Sequence, residues 1–469
     1  MNKIAVAALT MLVFSSPSYA LFEPLFDEGT WSAEMNGEWR YFNDPGEFGQ
    51  SKSAFSYSAQ AEYYVGWNDG DDSFTFTPFV RLDQIDDNRT HLDLREAYWG
   101  HVGENWETKL GYTRIFWGRT EFLNLVDVVN QKDFVEGDTT EKLGQPLFQL
   151  SLVHDVGILD FYVLAGFRER TYQGEDGRLR APIVIDVDNA RYDGVEKNNL
   201  DLAVRWSQPV GDNLEVAVSI FSGTNRDPRF DFNYDLFDPK LIPVYTRMDQ
   251  FGLELEYIYE GWVAKLEAIA VETPDESYTA AVGGVEYTFD AVFDSDIDVT
   301  LITEYLWDER GSDSAGFFEH DVGIGTRITF NDEQSAEILI GGIIDFDTNE
   351  ALYSIEASRR IGESWRVEIL ATVVAERGDQ ELGQTVSEIA KSLADSGFTT
   401  DAISTQFAIN LLSDIIDEVG LLALFNGEIN TYGEFVETLQ QVQRLADTDR
   451  KLSILESDDY FQIEVKYFF

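Results

Sequence analysis

Arginine is the residue type whose positions in this sequence suggest ligand recognition. The chain has 34 basic and 86 acidic residues. Six arginines nevertheless fall in or beside two long predicted connections: Arg114, Arg119, Arg168, Arg170, Arg178 and Arg180. A guanidinium group can hold a carboxylate or a phosphate through two parallel hydrogen bonds. Structural pairing with nearby acids (Asp160, Glu169, Glu175 and Asp176) is the alternative. We favour structural pairing and keep anion recognition open.

Residues suited to catalysis are few. The chain has no cysteine and four histidines: His91, His101, His154 and His320. Asp93 and Asp321 lie close to two of these histidines in sequence, but no G-x-S-x-G motif occurs. The acidic turns at 68–72 and 186–189 lack the twelve-residue loop and closing glutamate of a calcium site. We therefore predict no enzyme activity, no metal site and no cofactor.

The first twenty residues are predicted to be a cleaved signal peptide. Lys3 supplies the positive charge, residues 4–14 are apolar except for Thr10, and Ser18-Tyr19-Ala20 offers a cleavage site. The apolar run is about half of the ~20 residues that a membrane helix needs. Cleavage removes one of the 34 basic residues and none of the 86 acidic ones, which leaves a formal net charge of −53. This acidic excess excludes nucleic acid as a partner.

The rest of the chain alternates between apolar and polar residues, as expected for a barrel wall. The last strand shows the pattern best: Phe461, Ile463, Val465, Tyr467 and Phe469 share one face. Gln462, Glu464 and Lys466 share the other. Because no later stretch is long and apolar enough for a membrane helix, a membrane protein of this sequence must be a closed barrel. The sequence therefore predicts an all-β transmembrane antiparallel barrel over residues 21–469.

Counting the alternating segments gives about eighteen strands. Their predicted starts are residues 31, 53, 73, 90, 105, 147, 158, 199, 213, 249, 262, 277, 296, 320, 335, 351, 365 and 459. Sixteen remains an alternative, because the hairpin near 277–311 is weak. Short polar turns such as Asn68-Asp69-Gly70 alternate with a set of connections that includes every long one: 117–146, 171–198, 223–248 and 376–457. An even strand count places both termini on the periplasmic side.

Residues 90–135 resemble the alginate-export-like outer-membrane proteins and their relatives. The resemblance rests on Leu94-Arg95-Glu96-Ala97-Tyr98, Leu110-Gly111, Trp117-Gly118-Arg119 and Asn130-Gln131-Lys132-Asp133. Gln131 stands where the relatives usually have proline, and no alginate-binding motif carries over. The resemblance implies an eighteen-stranded barrel that passes solutes, and it leaves the substrate open.

The third outer connection, residues 117–146, offers candidates for a pore constriction. It either folds into the lumen or covers the rim. The pore-lining or constriction candidates are Arg81, Arg95, Arg114, Arg119, Lys132, Asp133, Arg168, Arg170, Arg205 and Arg327. Strand parity adds more acids than bases to the inner face, including Glu38, Glu254, Glu267 and Glu304. The lumen is therefore predicted to be mixed in charge and somewhat acidic, which favours cations.

A helical insertion is predicted at 378–455, before the last strand. Apolar residues recur there at three- and four-residue spacings, among them Ile403, Phe407, Leu411, Ile415 and Leu439. The insertion is expected to be a plug inside the lumen, a cap over the outer mouth or a separate binding module.

The predicted function is a porin-like channel in the outer membrane of a Gram-negative cell, for passive passage of small hydrophilic solutes. Two alternatives remain: a non-conducting barrel whose insertion binds a partner or surface polymer, and a polysaccharide export pore. The expected partners are outer-membrane lipid, lipopolysaccharide, small solutes and the barrel assembly machinery, which would read Tyr467 and Phe469.

We predict that Phe469→Asp lowers the fraction of protein that inserts into the membrane. The substitution places a charge at the end of the apolar face of the closing strand, where the assembly machinery is expected to bind. The measurement is the heat-modifiable fraction on gels of outer-membrane extracts. Wild-type levels of insertion in the variant would contradict the proposed terminal signal.

Overall fold

The structure is a computed structural model that describes residues 29–375 and 458–469. Within these ranges it leaves out residues 47, 138–140, 182, 234–239, 312, 313, 315, 317 and 349. The predicted signal peptide (1–20) and helical insertion (378–455) lie outside the described residues. In the described part of the chain, no helix is long and apolar enough to cross a membrane.

The described residues form twenty-one strands, of which eighteen belong to one sheet. The eighteen are β1 (Thr30–Phe42), β2 (Ser53–Trp67), β3 (Asp72–Asp83), β4 (His91–Val102), β5 (Trp106–Thr113), β6 (Gln145–His154), β7 (Gly157–Ala165), β9 (Leu200–Val210), β10 (Leu214–Thr224), β13 (Arg247–Tyr259), β14 (Trp262–Glu272), β15 (Ser277–Phe289), β16 (Asp298–Asp308), β17 (His320–Thr329), β18 (Glu337–Asp345), β19 (Ala351–Ile361), β20 (Trp365–Ala375) and β21 (Tyr460–Phe468). A smaller sheet contains β8 (Arg191–Tyr192), β11 (Arg229–Phe232) and β12 (Leu241–Tyr245).

The large sheet closes into an antiparallel barrel. Each strand pairs with the next one along the ring, and β21 pairs with β1 in a register that sets Trp39 opposite Ile463. The strands begin within two residues of their predicted positions. The eighteen-stranded prediction is confirmed, and the sixteen-stranded alternative is wrong because β15 and β16 pair over ten residues from Ala280 to Phe289.

The outer surface of the barrel is apolar and the inner surface carries the polar side chains. On β16, Leu301, Tyr305 and Trp307 are exposed, whereas Glu304 between them is 2% exposed. On β13, Phe251 and Tyr257 are exposed and Glu254 is buried. Such an apolar surface is stable in lipid. Closure of the sheet into a ring gives the backbone N–H and carbonyl groups of every strand hydrogen-bond partners. The protein is therefore an outer-membrane β-barrel.

The connections differ between the two ends of the barrel. At the end where β1 begins and β21 ends, consecutive strands are joined by short turns, as at residues 103–105 and 260–261. The opposite end has the long connections, including 114–144, 166–199 and 225–246, which we call loop 3, loop 4 and loop 5. The small sheet joins loop 4 to loop 5, because β8 pairs in parallel with β12. Loops 4 and 5 are thus packed together at this end of the barrel.

A β-bulge in β4 interrupts the side-chain alternation along that strand. In the pairing of β3 with β4, Thr77 lies opposite Glu96 and Pro78 lies opposite Leu94, so the register skips Arg95. A bulge of this kind redirects a side chain relative to its neighbours. Arg95 is 1% exposed, and the residues that follow it on β4 have the opposite alternation.

We predict that Gly111→Ala destabilises the pairing of β4 with β5. Gly111 has φ +137, and a Cβ there would lie 2.2 Å from the backbone oxygen of Ala97. Backbone strain of this kind costs about 1–3 kcal/mol. The temperature at which the barrel loses its folded gel mobility should fall. Gly37→Ala is the matched control, because its Cβ would meet only the Tyr57 ring at 3.7 Å. Equal behaviour of the two variants would contradict the prediction.

Candidate functional site in the barrel lumen

Loop 3 enters the barrel and packs against its inner wall. Trp117, Val126 and Val129 of the loop are nearly fully buried. They form one apolar cluster with inward side chains of seven strands: Leu147, Tyr162, Leu164, Ala203, Phe221, Met248, Ile269, Val271 and Ala280. Burying each large apolar side chain is worth roughly 1.5–3 kcal/mol, so this cluster holds the loop in place.

The buried carboxylate of Glu267 on β14 anchors the first half of loop 3. Its Oε1 accepts hydrogen bonds from the backbone N–H groups of Arg119 and Thr120 at 2.5 and 3.0 Å. Its Oε2 accepts from those of Leu125 and Val126 at 2.8 and 3.2 Å. Glu267 is 0% exposed. The four N–H donors offset the free-energy cost of burying this carboxylate, and the same hydrogen bonds fix the backbone of the loop.

The tip of loop 3 reaches the far wall. The Glu304 carboxylate accepts from the backbone N–H groups of Glu121 and Phe122 at 2.8 and 3.0 Å. A Cβ on Gly323 of β17 would lie 2.4 Å from the Phe122 ring, which therefore packs directly on that glycine. Loop 3 leaves the wall at β5, fifth in the ring of eighteen, and β17 is fourteenth. The loop therefore crosses the lumen, and the alternative of a loop that only covers the rim is wrong.

Charged side chains surround the crossing segment. Arg119 lies 2.7 Å from Glu215 and 3.4 Å from Glu256, and its Nε is 3.7 Å from Glu254. Arg205 forms a two-pronged pair with Glu254 at 2.8 Å on both prongs. Three carboxylates thus share two guanidinium groups on this side of the loop.

On the other side of the crossing segment, Glu121 of loop 3 pairs with two basic side chains of the wall. The distances are 3.0 Å to Lys265 and 2.7 Å to Arg327. Burial opposes ionisation of Glu121, but these two neighbours lower the pKa of its carboxyl below the usual value. The loop is therefore held by charge at its tip as well as by backbone hydrogen bonds.

The second half of loop 3 packs on an arginine cluster of β1, β3 and β4. Glu38 accepts from Arg81 at 3.1 Å and from Arg89 at 2.6 and 2.7 Å. Arg81 also contacts Glu136 of loop 3 at 2.6 Å, and Arg95 contacts Asp133 at 2.6 Å. All six side chains in these pairs are at most 6% exposed. The pairs join the loop to the wall.

Loops 4 and 5 complete the packing above loop 3. Arg170 lies 2.5 Å from Asp227 and donates to Gln131 at 3.1 Å. Burial opposes charge on Asp227, but Arg170 lowers the pKa of its carboxyl. Burial lowers the pKa of Lys132 below its usual value, although Asp227 opposes the shift. Arg226 donates to the carbonyl of Val129 at 2.9 Å.

A cavity of about 260 Å³ opens at the outer end, beside this network. Asp227, Arg229, Tyr278 and Arg310 are among its lining residues. The Arg310 guanidinium stacks over the Tyr278 ring at 3.4 Å. The cavity therefore presents both signs of charge to the outer medium.

Nine of the ten pore-lining or constriction candidates lie in ion pairs among the described residues, and Lys132 is the exception. In the same part of the chain, the arginines of loops 3 and 4 do not pair with the neighbouring acids that the sequence suggested. Arg168 pairs with Asp93 at 2.6 Å, and Arg114 lies 3.6 Å from Glu141. Of the acids named from the sequence, Asp160 accepts instead from Ser151 and Glu169 from Lys197. Whether these residues form the constriction for a solute stays a prediction.

Several residues that build this site were not candidates from the sequence. Glu121, Phe122 and Glu136 lie in loop 3, where no strand parity applies. Glu267 and Glu304 were predicted to face the lumen, but not to bind a loop. On the inner face of β14, Glu267 is followed by the apolar residues Ile269 and Val271. An apolar patch next to a carboxylate on the lumen face is the one signal that could have indicated a packed loop there.

The histidines lie apart from one another. His101 pairs with Asp72 at 2.9 Å, next to the short turn at 103–105. His320 pairs with Asp347 at 3.0 Å at the outer end. His91 faces Asp133 and Glu136 of loop 3. Among the described residues, only His91 is thus joined to the loop that crosses the lumen.

We predict that Glu267→Ala releases loop 3 from the wall. Because the chain has no cysteine, a single Val126→Cys reporter gives a unique thiol, at a position that is 0% exposed. Its labelling by a maleimide should be slow in the otherwise wild-type barrel and at least about tenfold faster with Glu267→Ala, since four backbone donors lose their acceptor. Glu272→Ala, at an exposed position of the same strand, is the matched control. Equal labelling in all three proteins would show that Glu267 does not anchor the loop.

No protein-family model matches the chain, and no curated protein matches it significantly. Solved structures of outer-membrane proteins are similar to it. Pseudomonas aeruginosa OpdO is 8% identical with a TM-score of 0.47, over 75% of this chain and 93% of that one. Pseudomonas aeruginosa OccK8 (OprE) is 11% identical with a TM-score of 0.46, over 74% and 94%. Wzi from Escherichia coli, described as a carbohydrate-binding barrel involved in capsule assembly, is 10% identical with a TM-score of 0.43, over 77% and 85%.

Proposed function

We propose that this protein is a channel through which small hydrophilic solutes diffuse across the outer membrane, with loop 3 as the constriction. The observation that carries the proposal is the fixed path of loop 3 across the lumen, anchored by Glu267 and Glu304. A loop held in this way narrows a barrel of eighteen strands, which would otherwise enclose a wide aqueous space. Such a barrel admits solutes by size and charge, and catalysis is no part of the proposal.

The residues proposed to line the constriction are those on the crossing segment and the wall that faces it. Arg119 and Glu121 belong to the loop, and Arg205 and Arg327 belong to the wall. Arg81, Arg95, Lys132, Asp133, Arg168 and Arg170 are proposed to line the outer approach, and Arg114 lies at its edge. Both signs of charge are present, so the passage suits polar solutes better than apolar ones.

Conductance in planar lipid bilayers tests the proposal. Purified protein should give reproducible open steps. A silent protein would favour the first alternative, a non-conducting barrel whose segment 378–455 binds a partner. Deleting residues 380–450 then separates a plug from a barrel that never conducts, because only a plugged barrel would gain open steps.

Polysaccharide export is the second alternative, and it follows from the resemblance of residues 90–135 to alginate-export-like proteins. Alginate is a polyanion, whereas Glu215, Glu254 and Glu256 outnumber the arginines beside them. This local charge is the reason that we prefer small solutes. Block of the ion current by alginate oligomers at low salt would reverse the preference.

Membrane assembly is part of the same proposal. Tyr467 and Phe469 stack at 4.6 Å at the periplasmic end of β21, and we propose that the barrel assembly machinery reads this end. Lipopolysaccharide is proposed to contact the apolar, lipid-facing surface of the barrel wall.

We predict that the channel prefers cations at low salt. Its reversal potential in a KCl gradient should have the sign of potassium selectivity and should shrink as salt screens the fixed charges. Glu215→Gln removes one carboxylate beside Arg119, at a side chain that is 47% exposed, and should reduce the selectivity. Glu363→Gln removes an equal charge at an exposed turn between β19 and β20, across the ring from β10, and serves as the control. Clear anion preference of the wild-type channel would overturn the prediction.

A further inference from the structure

We propose that His91, Asp133 and Glu136 form a binding site for a divalent transition-metal ion, with Zn²⁺ as the best fit. One ligand atom from each residue lies within 4.8 Å of the others. His91 Nε2 is 3.4 Å from Glu136 Oε1 and 4.0 Å from Asp133 Oδ2. Bonds of about 2.0–2.2 Å to a tetrahedral zinc ion separate neighbouring ligand atoms by roughly 3.3–3.6 Å. The three atoms therefore need only a small adjustment to coordinate one ion.

The hydrogen bonds of His91 leave a lone pair aimed at this position. Its Nδ1 lies 3.0 Å from the carbonyl oxygen of Arg89. Because a carbonyl only accepts, Nδ1 must carry the proton, so in the neutral ring Nε2 presents a lone pair. A metal-binding histidine is normally oriented in this way, with its second nitrogen donating to an oxygen.

The two carboxylates are also held in place through their second oxygen atoms. The other oxygen of Glu136 contacts Arg81 at 2.6 Å, and the other oxygen of Asp133 accepts from the Thr171 hydroxyl at 2.5 Å. The Asp133 and Glu136 side chains are 0% and 5% exposed. His91 and Glu136 are thus positioned by partners that would not have to move for an ion to bind. Asp133 Oδ2 also accepts from Arg95 at 2.6 Å, so this oxygen would be shared between the ion and the guanidinium group.

Two of the proposed ligand atoms face each other without a hydrogen bond. Glu136 Oε1 and His91 Nε2 are both buried, and neither has a hydrogen-bond partner among the described residues. Two acceptors at 3.4 Å repel each other unless a cation or a proton lies between them. Arg95 approaches, but it donates to Asp133 at 2.6 Å and stays 4.0 Å from Glu136. A metal ion would satisfy both open atoms at once.

The donor set selects the class of ion. One imidazole nitrogen and two carboxylate oxygens suit zinc and similar borderline ions, whereas magnesium prefers oxygen ligands alone. Three protein ligands leave a fourth position for water. Since His91 lies on β4 and the acids lie in loop 3, the ion would clamp the second half of that loop to the wall. The spacing of residues 91, 133 and 136 in sequence gave no hint of this site, and none of them was predicted to be a metal ligand.

Calorimetric titration of ZnCl₂ into the full-length, detergent-purified protein tests the site, after chelator treatment and with excess MgCl₂ to occupy the many surface carboxylates. One Zn²⁺ per chain should bind. His91→Ala and Glu136→Gln should each weaken binding at least tenfold. His320→Ala is the matched control, because it removes a histidine that pairs with an exposed aspartate elsewhere, and it should leave binding unchanged.

Anomalous diffraction at the zinc edge from wild-type crystals grown with ZnCl₂ gives a result that does not depend on the folding of any variant. A peak between the three side chains would support the proposal. A peak only at other positions, no saturable binding at one ion per chain, or wild-type affinity in the folded His91→Ala protein would each overturn it. In those cases a protonated His91 that donates to Glu136 is the better account of the contact.

Discussion

The pairing of β1 with β21 removes the two free edges that an eighteen-stranded sheet would otherwise expose to lipid. Every unpaired backbone N–H or carbonyl in the hydrocarbon region costs several kcal/mol, so the sheet is stable there only as a closed ring. Closure divides the side chains into two environments. Those facing outward meet lipid and are apolar, whereas those facing inward share a confined space with one another and with the outer loops.

The confined space explains why loop 3 is so firmly held. Wall residues such as Glu254, Glu267 and Glu304 lose most of their water when loops cover them, and a buried carboxylate without partners is unstable. Loop 3 supplies those partners: backbone N–H groups for Glu267 and Glu304, and a guanidinium group for Glu254. In return, the carboxylates fix the backbone of a segment that has almost no regular secondary structure. Wall and loop thus stabilise each other.

The same mutual stabilisation of wall and loop pairs the charged side chains of the lumen. Arg81, Arg95 and Arg327 each pair with a loop 3 carboxylate. Removing one partner would leave a buried charge uncompensated, which is strongly destabilising. The arginines therefore have a structural role whether or not a solute also meets them. A solute that passes would compete with pairs that are already formed, which favours weak and reversible contacts over tight binding.

The sequence by itself determined the barrel. Side-chain alternation with a period of two and polar turn residues are local properties, so the strand starts were predicted to within two residues. The sequence also placed Glu38, Glu254, Glu267 and Glu304 on the inner face by parity alone. The β-bulge in β4 could not be predicted, because one extra residue at Arg95 changes the alternation of the residues after it without any mark in the sequence.

Only the tertiary structure decided what the inner side chains contact. Thr120 and Glu267 are 147 residues apart, and Arg327 and Glu121 are 206 apart. Because loop residues follow no periodicity, nothing in their order says which wall residue they will meet. The pairing of Arg168 with Asp93 rather than with an acid near it in sequence has the same cause. Closure of the ring brings distant strands and loops together, and the need to compensate buried charge then selects the partners.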